Sequence, residues 1–157
     1  HFAAVKIDGL TVNYEVSDWD ATMNVNLRGN FIITKAVLPL MMQEGWGRII
    51  HVSSRGGVAG DIGTVSYSAS KSALMGMSAV LAKEYAKFNI TSNVLVLGTF
   101  DTGMFNKLPD RQKNKILDKI PSKKYGSISD VFNAINFIIK SDYVTSSVIN
   151  VDGGIGE

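Results

Sequence analysis

Two short runs restrict the architectures open to this chain. Gly47-Arg48-Ile49-Ile50-His51-Val52-Ser53 and Ile90-Thr91-Ser92-Asn93-Val94-Leu95-Val96-Leu97 are short, largely apolar and rich in β-branched residues. Each reads as a buried strand of a parallel sheet. Parallel neighbours need a long crossover, and a helical pattern from about Val65 to Phe88 lies between them. Ala69, Ala73, Leu74, Met77, Leu81, Ala82 and Tyr85 give that helix a broad apolar stripe, and its many small residues suit close approach of another helix. A long helix precedes the first run, from Ser17 to roughly Gln43. Ser17 is the expected N-cap, with Asp20 as its capping-box acid. Pro39 removes one backbone donor inside this helix, and Gly45 and Gly47 are expected to close it. After the second run comes a polar, partly helical excursion over 99–127, the kind of segment that forms substrate lids. Its Met104, Phe105, Leu108, Ile116, Leu117 and Ile120 fit an apolar substrate wall or a cover for the core. Ser129 is placed to cap a helix reaching Lys140, and Val148–Val151 forms the last strand. Strands alternating with helices give an α/β domain with a parallel sheet, read as one domain over 1–157. Residues 1–16 show no period, and Asp8-Gly9 marks a turn.

Chemistry gathers around the end of the first strand. Ser54 stands where loops of a parallel sheet carry function. Tyr67 and Lys71 are four apart, so on a helix they share one face. A lysine ammonium beside a phenol favours the phenolate, and such a tyrosine can give or take a proton near neutral pH. The same spacing alone also fits a half-buried ring and a solvated charge. Ser54 can bond a substrate oxygen. Asn26 interrupts the apolar pattern of the first helix, where an asparagine usually bonds a nearby backbone group. Gly56, Gly57, Gly60 and Gly63 make a permissive loop, without the G-x-G-x-x-G spacing of a dinucleotide site.

Several classes are excluded or disfavoured. The sequence has no cysteine, hence no thiolate metal site, disulfide or thiol nucleophile, and a cytoplasmic location is expected. Its two histidines, His1 and His51, read as incidental and structural, so no metal site is expected. A net charge of +2 without charged blocks argues against nucleic acid as a partner, and no apolar run is long enough to span a membrane. Ser54 has no Gly-x-Ser-x-Gly elbow and no His–Asp partners nearby in sequence, which disfavours a hydrolase. The chain begins with His rather than Met, and is expected to be processed, cut or partly represented.

Motifs in order through 17–154 then carry a resemblance. Asn24-Val25-Asn26-Leu27-Arg28-Gly29 resembles an N-x-N-L-x-G helix; Gly47-Arg48-Ile49-Ile50 leads to Ser54, thirteen residues before Tyr67; Tyr67-x-x-x-Lys71 follows. Ile90-x-x-Asn93, Gly98-x-x-x-Thr102 and Val151-Asp152-Gly153-Gly154 complete the series. The chain resembles the C-terminal two-thirds of a short-chain dehydrogenase/reductase, and within that family is most similar to 3-oxoacyl-[acyl-carrier-protein] reductases. The resemblance implies a Rossmann-like, doubly wound parallel sheet that is incomplete, since the first βαβ units with their Thr-Gly-x-x-x-Gly-x-Gly phosphate loop are absent from the sequence. It implies hydride transfer between NAD(P) and a carbonyl or alcohol, with NADP favoured over NAD. The substrate would be a small-molecule or acyl-carrier-linked carbonyl compound, and the protein a homo-oligomer, dimer or tetramer, packing through the helices at about 17–43 and 65–88. Tyr67 would be the general acid or base, Lys71 would support it and bond the nicotinamide ribose, Ser54 would polarise the carbonyl, and Asn26 would hold a relay water. Gly98, the backbone around Phe100 and the Thr102 hydroxyl would contact the cofactor. Leu97 stands where the family has Pro, and Phe100 where a smaller aliphatic residue is usual. Without the phosphate loop, residues 1–157 alone are expected to be inactive, with an open sheet edge beside the 47–53 strand. The alternative is a truncated, non-catalytic half that binds a partner or supports an oligomer.

Overall fold

The computed structural model describes residues 1–102 and 109–155. Its elements in order are α1 (Val16–Met23), a π-helical turn (Asn24–Arg28), α2 (Gly29–Glu44), β1 (Gly47–Ser54), α3 (Arg55–Val58), α4 (Val65–Tyr85), β2 (Ile90–Leu97), α5 (Asp110–Lys119), α6 (Ile128–Lys140) and β3 (Val148–Val151). The sheet is parallel, in the order β1-β2-β3. This is the expected α/β architecture, a partial Rossmann-like fold. β2 is central, and Ile90 to Val96 are all buried, which is why that run could afford no outward face. The register pairs Gly47 with Ile90, Ser54 with Leu97, and Leu97 with Val151. All three strands therefore end together, and the loops after them share one rim. Among the described residues, β1 pairs with a strand on one side only; on its other side the His1 amino group donates to Ile50 O.

Two expected caps are corrected. Ser17 lies inside α1; the N-cap is Glu15, which makes no side-chain capping bond. For α6 the cap is Ser127, not Ser129. Ser127 Oγ accepts from Asp130 N at 3.3 Å, and Asp130 Oδ2 accepts from Ser127 N at 2.8 Å. Ser127→Ala should cost about 1 kcal/mol in a urea melt; no change would mean that solvent replaces the cap at no cost. α2 runs unbroken through Pro39, and Gly45 ends it in the left-handed region at φ +61°, as expected. Gly47 instead opens β1. A Cβ there would lie 2.7 Å from Met41 Sδ, so its smallness serves helix–strand packing.

The apolar residues of the first long helix do not make up its buried face. Its buried positions are Thr22, Asn26, Asn30, Thr34 and Leu38, while Phe31, Ile32, Ile33, Val37 and Leu40 are exposed. Burial positions thus recur every four residues. An α-helix advances 3.6 residues per turn, so such a series drifts around the axis; the wider π turn at 24–28 takes up part of the drift. α4 also buries polar side chains, namely Ser66, Ser70, Lys71 and Ser78, beside Leu74 and Ala82. On α6, Ile138 is buried, but Phe132 and Ile139 are exposed. The apolar cluster below the site joins Leu38, Ile49 and Ile90 to Met41, Leu81, Tyr85 and Phe88.

Candidate active site

β1 delivers Ser54 as its last residue. Its Oγ accepts from Gly56 N at 3.3 Å, capping the single turn of α3. That leaves the hydroxyl hydrogen available to a ligand oxygen. The glycines that follow divide into two kinds. Gly60 and Gly63 have φ of +72° and +83° and serve the turn, as expected. Gly56 and Gly57 are buried and helical, contrary to a reading of plain loop flexibility. A Cβ at Gly57 would lie 2.5 Å from Lys71 Cβ and 2.8 Å from Ser53 Oγ. Gly57 is therefore the point where α3 presses on the Lys71 turn of α4.

Tyr67 and Lys71 stand one turn apart on α4, which begins close to the rim where Ser54 ends. The Tyr67 ring edge lies over Gly56, 3.5 Å from where its Cβ would be. The Lys71 ammonium is 5.8 Å from the Tyr67 ring centroid. It donates to Val52 O at 2.7 Å, and Ser53 Oγ donates to Lys71 O at 3.1 Å. Lys71 is 3% exposed, and burial pushes its pKa down to about 8. Among the described residues Val52 O is its one hydrogen-bond partner, so two ammonium hydrogens remain for a ligand.

Asn26 is buried in the π turn, and its partner is not the neighbouring helical backbone. Its Oδ1 accepts from Val5 N and its Nδ2 donates to Val5 O, each at 2.8 Å; Nδ2 also donates to Ser70 Oγ at 3.0 Å. Ser70 Oγ donates in turn to Tyr67 O at 2.8 Å. Asn26, Ser70 and Tyr67 thus form one connected line, and Ser70 is a member that the sequence reading missed. The opening segment, which had no legible period, is tied to this site three times. Besides Val5, Gly9 N donates to Gly63 O at 2.8 Å, and the Tyr14 hydroxyl shares a hydrogen bond with Ser66 Oγ at 2.7 Å.

The residues expected at the cofactor lie on the same rim. Gly98 directly follows Leu97, the partner of Ser54. A Cβ on Gly98 would lie 2.6 Å from Asp152 Cα, so its smallness serves contact with the turn after β3. Phe100 bridges to Gly126, and a Cβ on Gly126 would lie 2.4 Å from the Phe100 ring. The Phe100 ring helps line an apolar cavity of ≈ 440 Å³ with Phe2, Leu97, Thr102, Ile128, Phe132 and neighbouring residues of α6. Thr102 is exposed, and its N–H donates to Phe100 O at 2.8 Å. Of the expected substrate wall, Met104, Phe105 and Leu108 lie outside the described residues. Ile116 and Leu117 are half-buried, and Ile120 is buried against the Gly153 turn, covering the core. Among the described residues, no group of three His, Asp or Glu side chains could hold a metal ion. No helix among them is long and apolar enough to cross a membrane.

What the residues offer suits a nicotinamide dinucleotide. Lys71 has free donors for vicinal hydroxyls, and an apolar cavity opens beside the rim. Comparison with known proteins bears on this fit. A family model described as Enoyl-(Acyl carrier protein) reductase matches residues 1–156. The chain is 39% identical over 155 residues to 3-oxoacyl-[acyl-carrier-protein] reductase FabG of Thermotoga maritima, covering 98% of this chain and 63% of that protein. It is 36% identical over 155 residues to the enzyme of the same name from Aquifex aeolicus, covering 98% of this chain and 62% of that protein. Nodulation protein G of Rhizobium sp. is 37% identical over the same length, covering 98% of this chain and 63% of that protein. The chain therefore spans just under two-thirds of the length of these curated relatives.

Proposed function

The chain belongs to the short-chain dehydrogenase/reductase family, and from that premise we propose that it carries the acid–base centre of an NAD(P)-dependent oxidoreductase interconverting a carbonyl and its alcohol. The observation that carries this reading is the Lys71 ammonium, buried 5.8 Å from the Tyr67 ring centroid on one helix face. When bound, the nicotinamide supplies or takes the hydride. As charge builds on the substrate oxygen, Ser54 donates its hydroxyl hydrogen and Tyr67 passes its phenolic proton to that oxygen. The Lys71 charge stabilises the phenolate left behind. Asn26 holds the Tyr67 turn through Ser70, and we assign it a place in proton resupply to Lys71. Gly98, Phe100 and Thr102 are assigned to the cofactor side of the rim.

The substrate proposed is an acyl-carrier-linked 3-oxoacyl group, in keeping with the names of the relatives, and the preferred cofactor NADP rather than NAD. Residues 1–157 alone are proposed to be inactive, because their sequence contains no glycine-rich phosphate loop. We place the protein in the cytoplasm on its cysteine-free sequence. The exposed Phe31, Ile32, Ile33, Val37 and Leu40, with a groove between Leu27, Phe31, Ala73 and Met77, support a homo-oligomer through α2 and α4. The same surfaces suit the alternative of a non-catalytic partner-binding half. The two readings part in one assay: oxidation of NADPH and NADH by the whole protein with a 3-oxoacyl thioester. Turnover abolished by Tyr67→Phe supports the enzyme; identical traces for parent and variant overturn it.

The pH dependence follows from Lys71. With its pKa lowered to about 8 by burial, the side chain is charged below that pH and neutral above it. Carbonyl reduction should therefore fall as pH rises through about 8. Lys71→Arg, charged throughout, should move that limb upward, whereas Lys71→Met should abolish the limb and weaken cofactor binding. A pH–rate profile unchanged in either variant would remove Lys71 from the proton step.

A further inference from the structure

A second buried polar line starts from the backbone of Asn26. The backbone carbonyl of Asn26 accepts from Asn30 Nδ2 at 2.7 Å, and Asn30 Oδ1 meets His51 Nδ1 at 3.3 Å. All three residues are nearly sealed from water: Asn26 is 0%, Asn30 2% and His51 1% exposed. The donor roles follow in sequence. A backbone carbonyl can only accept, so Asn30 turns its amide nitrogen toward Asn26. Its oxygen then faces His51, which must carry its hydrogen on Nδ1. His51 Nε2 is left as an acceptor, buried and without a partner among the described residues. A π turn bonds i→i+5, and the Asn30 amide adds a side-chain bond to a carbonyl within that turn. Burial lowers the His51 pKa to about 4, so at neutral pH the ring is uncharged and carries a single N–H, the one that faces Asn30 Oδ1.

We propose that Asn30 and His51 are a positioning pair that locks the π turn around Asn26, and through Asn26 and Ser70 fixes the turn bearing Tyr67. His51 orients the Asn30 amide; Asn30 holds the Asn26 carbonyl; the Asn26 side chain holds Ser70, whose hydroxyl holds the Tyr67 carbonyl. The pair spans β1 and α2, so it sets the depth at which the π turn sits against the strand that delivers Ser54. Neither residue reaches the rim, and neither is assigned contact with substrate. The catalytic part of this inference rests on the carbonyl-reductase reading; the geometric part does not.

The test joins kinetics to a probe independent of turnover. Asn30→Leu and His51→Leu should each lower kcat about tenfold with KM for the carbonyl substrate unchanged, as expected for a misplaced acid–base group. His51→Asn returns an amide N–H near the site of Nδ1 and should recover most of that loss. The double variant Asn30→Leu/His51→Leu should lose no more than Asn30→Leu alone, because the two act as one unit. In parallel, amide exchange at Val5, whose N–H is held by Asn26 Oδ1, should quicken in both Leu variants while exchange at Leu95 in β2 stays constant. If the parent protein turns over no carbonyl substrate, the reductase reading fails, and Val5 exchange by itself decides for or against the pair. Unchanged kcat with unchanged Val5 exchange, or equal loss in His51→Asn and His51→Leu, overturns the proposal. Should Asn30→Leu not fold, the two His51 variants carry the same decision.

Discussion

Tyr67→Phe should lower turnover on the order of a thousandfold while leaving cofactor binding nearly unchanged. The substitution deletes one oxygen and keeps the ring. The ring's contact over Gly56 and its place on the Lys71 face of α4 persist. The Ser70 bond to residue 67 is to the backbone and is untouched. Only the group that can hand a proton to the substrate oxygen is lost. Steady-state rates with NADPH, set beside a cofactor titration by fluorescence, make the check. Retained turnover would mean that another group donates the proton, and tight coupling of the rate loss to lost cofactor binding would make Tyr67 a binding residue.

Gly57→Ala should be among the most damaging single methyl groups in the site. The added carbon would lie 2.5 Å from Lys71 Cβ, 2.8 Å from Ser53 Oγ and 3.1 Å from the Lys71 backbone carbon. Ser53 Oγ can turn away only by giving up its bond to Lys71 O, and the two Lys71 atoms are fixed by the helix. Relief requires α3 to rise from α4, which would pull Ser54 off the rim and disturb the Ser72 hydroxyl bond to Gly57 O. Overpacking of this kind costs about 3 kcal/mol where the backbone cannot yield. Chemical denaturation should show the loss, with activity reduced even in the folded fraction. Gly60→Ala, with nothing within 4 Å of its Cβ, bears only the strain of φ +72° and serves as the control. Equal stability of Gly57→Ala and the parent would mean that the α3–α4 contact is looser than these distances imply.

The strands were legible because β1 and β2 lie in a parallel sheet, where burial on both faces removes the need for polar alternation. Their expected ends, at Ser53 and Leu97, differ from the observed ones by at most one residue. The spacing of Tyr67 and Lys71 was legible for a related reason: four residues on a helix fix a shared face. What escaped was anything set by tertiary pairing of polar groups. Ser17 and Ser129 looked as good as caps as Ser127 does, and only the path of the chain into each helix decides among them. The buried face of α2 was hidden because its apolar residues have helical spacing whichever face is buried. The choice was made by Asn26, Asn30 and Thr34, which turn inward, Asn26 onto Val5 and Asn30 onto His51. Gly98 and Gly57 were noticed as glycines, but the backbone each must approach lies 54 and 14 residues away, at Asp152 and Lys71.

The clamp that Asn26 places on Val5 has a consequence for which mutations the opening segment can absorb. A primary amide offers an acceptor oxygen and two N–H donors, and the oxygen with one of those donors matches the pair that a peptide unit offers a neighbouring strand. Asn26 uses that pair on the main chain of residue 5, keeps its second N–H for Ser70, and leaves the Val5 side chain, which is only half-buried, unread. Grip without side-chain recognition lets the segment drift in composition while its path stays fixed. Proline is the exception at that position, since it has no hydrogen to give.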